Sequence, residues 1–211
     1  TKLRNVSPRH RSMRAVFEHS WSLLTVEEQQ MLRQISVFRG GCTLEAATQV
    51  TRASLLLLLM LVEKSLLQLT LARRLQFHEL LRQFAEEKLL TAPAEAEDVR
   101  NAHCHYYCDW LSQQEVHLKG AGHLTAMLAI EGEIENVRAA WVRAVMHNDW
   151  GELALALETL SCFYNIKCWY EQGMLLFQEA AAALAPHQAN DCYRLLYARI
   201  LAKQGEMQSM M

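Results

Sequence analysis

Few residues in this chain have both the type and the spacing to do chemistry. His78 stands where a short alternating run, Leu75-Gln76-Phe77, gives way to the helical pattern that opens at Glu79-Leu80-Leu81. Periodicity alone reads it as a junction histidine bonded to nearby backbone. A second concentration is His103-Cys104-His105-Tyr106-Tyr107-Cys108. Cys104 and Cys108 are one helical turn apart and share a face, whereas His103 and His105 flank that face and point elsewhere. A zinc site needs four converging ligands, so the expectation is buried thiols on an aromatic helix face and no metal site. Arg9, Arg11, Arg14, Arg73 and Arg74 are the candidates for nucleic-acid contact. The third-helix segment Leu44-Glu-Ala-Ala-Thr-Gln-Val50 carries one acid and no base, which suits no recognition helix meeting phosphates. These arginines are therefore read as solvated surface, and direct nucleic-acid binding is not expected. The nine histidines are scattered, and neither G-x-S-x-G nor the P-loop G-x-x-x-x-G-K-[ST] occurs. No catalytic residues are assigned, and the chain by itself is not read as an enzyme.

The stretch that must position His78 runs from Leu66 to Leu90. Leu67-Gln68-Leu69 and Leu75-Gln76-Phe77 flank a polar turn with Arg73 and Arg74, the pattern of a β-hairpin with one apolar face. In the helix that follows, Leu80, Leu81, Phe84, Ala85 and Leu89 form one stripe, and Arg82, Glu86 and Glu87 are expected to point away. Upstream, residues 1–8 read as an irregular entry, with Pro8 able to open a helix over 9–24. Thr25-Val-Glu-Glu28 is a capping-box pattern. It predicts a helix carrying Met31, Leu32, Ile35 and Phe38, ended by Gly40-Gly41. Thr43 caps a helix from Leu44 to Val50. Ser54 caps another from Leu55 to about Leu66, whose leucines predict burial on most sides. Three or four helices, a two-stranded wing and a further helix make a winged-helix layout.

Residues 91–98 break the pattern with Pro93 and small or acidic residues, and a boundary is placed there. Helices are then predicted over about 97–118, 123–147, 150–166, 169–185 and 190–205. Gly120-Ala-Gly122, Asn148-Asp149 and Pro186 punctuate them. Helices of this length with short turns suggest antiparallel pairs stacked as an array. Trp169, Gly173, Phe177, Ala180, Ala183 and Pro186 partly follow tetratricopeptide spacing, without a clean 34-residue self-match. The expected fold is mainly α: a winged-helix domain over 1–92 and a tetratricopeptide-like helical region over 97–211.

Composition agrees with a folded chain, 51% hydrophobic and 21% charged with only 8 Gly and 3 Pro among 211 residues. The net charge of −2 is uneven: residues 1–92 hold 13 Lys/Arg against 8 Asp/Glu, and residues 93–211 hold 8 against 15. Two units with different neighbours are implied. The six cysteines match no common disulfide scaffold, which predicts buried, reduced thiols in a cytoplasmic protein. The longest apolar run, Leu55 to Val62, is far short of the ~20 residues of a membrane helix. The chain opens at Thr1, without a Met, and is expected to be a piece of something longer.

The segments from Arg9 to Val50, from Leu61 to Leu69 (LVEKSLLQL) and from Leu75 to Leu89 (LQFHELLRQFAEEKL) bear a closer likeness. Their ordered set resembles the winged-helix segment of the STAND signal-transducing ATPases, most of all the bacterial transcriptional regulators of the NB-ARC type. Glu135-Asn-Val-Arg-Ala-Ala-Trp141 is similar to the start of that family's tetratricopeptide-like region. Together these motifs span most of residues 9–150; beyond 150 the likeness is one of layout. The resemblance implies a switch in which an upstream module of the same chain binds ADP or ATP with Mg. The winged helix closes over that nucleotide at rest, and the helical repeats sense a protein or small-molecule ligand. In relatives a Met-His-Asp motif at the end of the wing sets a histidine on the ADP β-phosphate. Phe77-His78-Glu79 stands there in this chain, so His78 is the implied nucleotide-sensing residue of the parent protein. A ring N–H at a helix N-terminus suits a phosphate oxygen. Two other classes remain open: a DNA-binding winged helix with a dimerising helical tail, and a protein-binding helical scaffold.

Overall fold

The computed structural model describes the backbone of residues 8–211 and the side chains of residues 13–211. The entry segment read at 1–8 lies almost wholly outside the described residues, as do the side chains of Arg9 and Arg11. The protein is mainly helical. Ten α-helices are described, with one small sheet: α1 Pro8–Ser22, α2 Val26–Ile35, β1 Cys42–Thr43, α3 Leu44–Thr51, α4 Leu55–Glu63, β2 Gln68–Leu69, β3 Arg74–Gln76, α5 Glu79–Leu90, α6 Pro93–Leu118, α7 His123–His147, α8 Trp150–Lys167, α9 Tyr170–Leu184 and α10 Asp191–Ser209. The chain divides into two compact units, one up to Ala102 and one from His103, so the division falls inside α6. Among the described residues no single helix is long and apolar enough to cross a membrane.

In the first unit, side-chain caps set the helix starts. Thr25 accepts from the Glu28 amide, and the Glu28 carboxylate accepts from the Thr25 amide at 2.9 Å, which closes the capping box. Thr43 and Ser54 cap α3 and α4 in the same way, through the amides of Ala46 and Leu57. The Glu28 carboxylate is fully buried, and Lys64 Nζ lies 2.6 Å from one of its oxygens and 2.7 Å from the other. That partner ties the start of α2 to the end of α4, and it holds the carboxyl below its usual range. Helix α2 stops at Ile35, not at the glycine pair, and Phe38 is buried from the turn beyond it.

The sheet has three strands in the order β1-β3-β2, all antiparallel. The hairpin β2–β3 was legible in the sequence; the third strand was not, because Cys42–Thr43 is two residues long and has no period. Gly41 precedes it at φ +87°, and a Cβ there would run into the carbonyl oxygen of Leu75 on β3. Glycine is thus required for β1 to reach its partner.

Helix α4 departs from expectation. It ends at Glu63, and of its leucines only Leu58 and Leu61 are buried, while Leu55, Leu56 and Met60 are exposed. A leucine run fixes a helix, but a short helix packed from one side buries only the residues three or four apart on that side.

In the second unit the core is aromatic. Trp141, Phe163, Tyr164 and Phe177 are buried; the Trp141 and Phe177 rings meet edge-on with centroids 5.6 Å apart. Helix α7 ends on Asn148 and α8 on Cys168, both left-handed, and these reversals send the chain back against itself. Gly173 on α9 permits close packing: a Cβ there would lie 3.2 Å from Met207 Sδ on α10 and 3.3 Å from Tyr164 Cβ on α8.

Candidate functional site

His78 is the N-cap residue of α5, with an extended backbone (φ −64°, ψ 127°), directly after β3 and Phe77. Its side chain is exposed and makes no capping hydrogen bond. Its carbonyl accepts from the Arg82 amide at 2.9 Å, the first bond of the helix. The first-turn amides of α5 therefore receive no side-chain cap from His78, and the helix presents the positive end of its dipole beside an outward imidazole. Such a junction can donate hydrogen bonds to an anion.

What holds this turn in place is Arg82, which had been expected on the outer face. It is only 5% exposed. Its Nε and Nη2 make a two-pronged ion pair with the Glu79 carboxylate at 2.9 and 2.8 Å. Nη1 donates to Glu86 Oε2 at 2.8 Å and to the carbonyl of Ser36 at 3.0 Å. Ser36 is the C-cap of α2, so the buried guanidinium satisfies a carbonyl at that helix's negative end. Glu86 continues the chain of charges to Arg39 at 3.0 Å, with Arg100 at 3.9 Å. Glu79 also accepts from Gln83 Nε2 at 3.0 Å. Arg82 foremost, then Gln83, pull its pKa down to about 2 against the opposing cost of burial, so it stays ionised.

A signal for Arg82 was present. It lies three residues before Ala85 and seven before Leu89, on the edge of the apolar stripe, with Glu79 at i−3 and Glu86 at i+4. An arginine at that place with acids at both helical spacings can be buried with its charge matched.

The other singled-out residues do not assemble with His78. Arg14 pairs with Glu87 at 2.6 Å. Arg73 is in the left-handed conformation of the hairpin turn and exposed, and Arg74 begins β3. In the second unit, His103 Nε2 lies 3.4 Å from Asn136 Oδ1, and His105 Nδ1 lies 2.7 Å from Glu152 Oε1. Cys104 donates to the carbonyl of Ala140 at 3.2 Å. Cys108 is buried, and its contact with Cys104 together with burial pushes its thiol pKa strongly up. Cys168 and Cys192, by contrast, are exposed and not buried as expected, because they lie at a helix end and on an uncovered face. The two histidines thus engage different helices, α7 and α8, and among the described residues no three His, Cys, Asp or Glu side chains form a metal-binding group.

The comparisons with known proteins add no relative: no family model, curated protein or solved structure matches this chain.

Proposed function

We propose that this chain is the regulatory part of a STAND-type ATPase that controls transcription. In this reading residues 1–92 are a winged helix, with β2–β3 as its wing, that acts as a lever on the nucleotide state of an upstream module in the same chain. Residues 97–211 are a tetratricopeptide-like sensor arm for a protein or small-molecule ligand. The observation that carries the reading is the outward His78 ring at the uncapped start of α5. It fits the ADP that the family resemblance implies: the imidazole would donate to a phosphate oxygen, and the first-turn amides would favour the anion's charge. ADP and ATP with Mg belong to the parent protein in this account, and the chain's own contribution is to bind and report, not to hydrolyse. A switch of this kind needs an element whose contacts differ between two states, and α5 with its histidine is that element.

The test is ADP release from the full-length chain. Losing one hydrogen bond to a charged phosphate speeds release by about tenfold or more, so His78→Ala is expected to do so and to raise basal activity. Unchanged release overturns the lever role. Tight, salt-sensitive DNA binding by residues 1–211 alone would favour the DNA-binding class instead.

A further inference from the structure

We propose that Arg82 is the positioning residue of the His78 junction, holding the neighbouring Glu79 carboxylate away from the imidazole and locking the first turn of α5 to the end of α2. The proposal rests on the nucleotide-sensing reading of His78. It starts from a problem that the sequence poses. A carboxylate immediately after a histidine is a ready partner for its ring, and a ring so engaged has one donor fewer for a phosphate. In the structure that partner is taken. Both Glu79 oxygens are bound by Arg82, and one also accepts from Gln83.

Arg82 in turn cannot follow Glu79 outward. Its guanidinium is buried, and Nη1 is held by the Ser36 carbonyl and by Glu86. Its own amide bonds the His78 carbonyl. One residue therefore fixes the backbone of His78 through its main chain and clears the ring's neighbour through its side chain. The length of Glu79 is part of the device: a glutamate at N1 reaches a guanidinium at i+3 with two parallel bonds, the strongest arrangement for this pair. Lysine at position 82 would keep the charge but offer a single ammonium in place of the fork.

The experiment is a double-mutant cycle on ADP release from the full-length chain, with thermal melting of each variant alongside. Arg82→Lys is expected to speed release about two- to fivefold, the scale of one partly exposed ion pair. In His78→Ala, adding Arg82→Lys is expected to change release no further, because the residue acts through the ring. Glu79→Gln, at a side chain 60% exposed, removes the carboxylate that would take the ring, so adding Arg82→Lys to it is likewise expected to change release little. Glu86→Gln weakens the same anchor from the far side of Arg82 and is expected to lower the melting temperature with a smaller effect on release. If His78→Ala accelerates release while Arg82→Lys does not, or Glu86→Gln does not should Arg82→Lys fail to fold, the positioning role is wrong and the sensing role stands. Additive effects in the double variant also overturn it, since they describe a residue that only stabilises the fold. If His78→Ala itself is silent, both readings fall together.

Discussion

The titratable pairs of this chain differ in how much of their environment they owe to neighbours along the helix and how much to distant ones. Glu79 is set by Arg82, one turn away on its own helix, whereas His105 is set by Glu152, 47 residues on and on another helix. The hydrogen bond to Glu152, followed by its charge, raises the His105 pKa above the usual histidine value. A raised folded-state pKa means the pair stabilises the fold fully below the unfolded value of about 6.5 and loses that contribution as pH rises through the folded value. Glu152→Gln should therefore cost more stability at pH 5.5 than at pH 8.5. Urea melts at the two pH values check this; equal losses at both would show that the imidazolium is not what Glu152 recognises. Among the described residues His78 has no such carboxylate partner.

At the scale of the element, α4 shows how little a run of one residue type says about burial. Leu55 through Leu59 are five consecutive leucines, yet Leu56 is 68% exposed and Leu58 is not exposed at all. Leu58→Ala removes packed methyl groups and should cost about 2–5 kcal/mol. Leu56→Gln should stay within about 0.5 kcal/mol of the parent, as surface substitutions do. Chemical denaturation of the two variants distinguishes this from a helix buried all round, for which both would be costly. Helix α5 teaches the converse. An arginine with acids at i−3 and i+4 has the look of a solvated face, but the turn after α2 brings a bare carbonyl to it and the side chain goes inward.

At the scale of the molecule, each unit keeps a core of its own. In the second, Trp141 joins α7 to α9 through the Phe177 ring and a hydrogen bond from its Nε1 to the carbonyl of Leu176 at 3.4 Å. Trp141→Ala should cost about 3–5 kcal/mol, read as a fall in the unfolding midpoint followed by circular dichroism. A cost below about 1 kcal/mol would mean that the aromatic cluster is not the centre of that unit.

The side-chain caps that start helices α2, α3 and α4 and the stop of α7 were legible from residue types alone. Thr25 with Glu28, Thr43, Ser54 and Asn148 act on backbone groups within four residues of themselves, and so the local sequence carries the whole interaction; Pro93, read as a break ahead of a helix from about 97, instead opens α6. The apolar face of α7, with Ile134, Val137, Ala140, Trp141 and Ala144, was legible for the same reason: a helical period repeats within the segment that displays it. The place of His78 at the strand-to-helix junction also came from local pattern. Folding alone decided the third strand at Cys42–Thr43, the exposed side of α4 and the inward turn of Arg82. Each depends on a partner distant in the chain: Leu75 for the strand, the single-sided packing of the leucine helix, and the Ser36 carbonyl for the guanidinium. Spacing can say which residues share a face, but which face is covered, and which buried charge finds its match, is settled only when another element arrives to cover it.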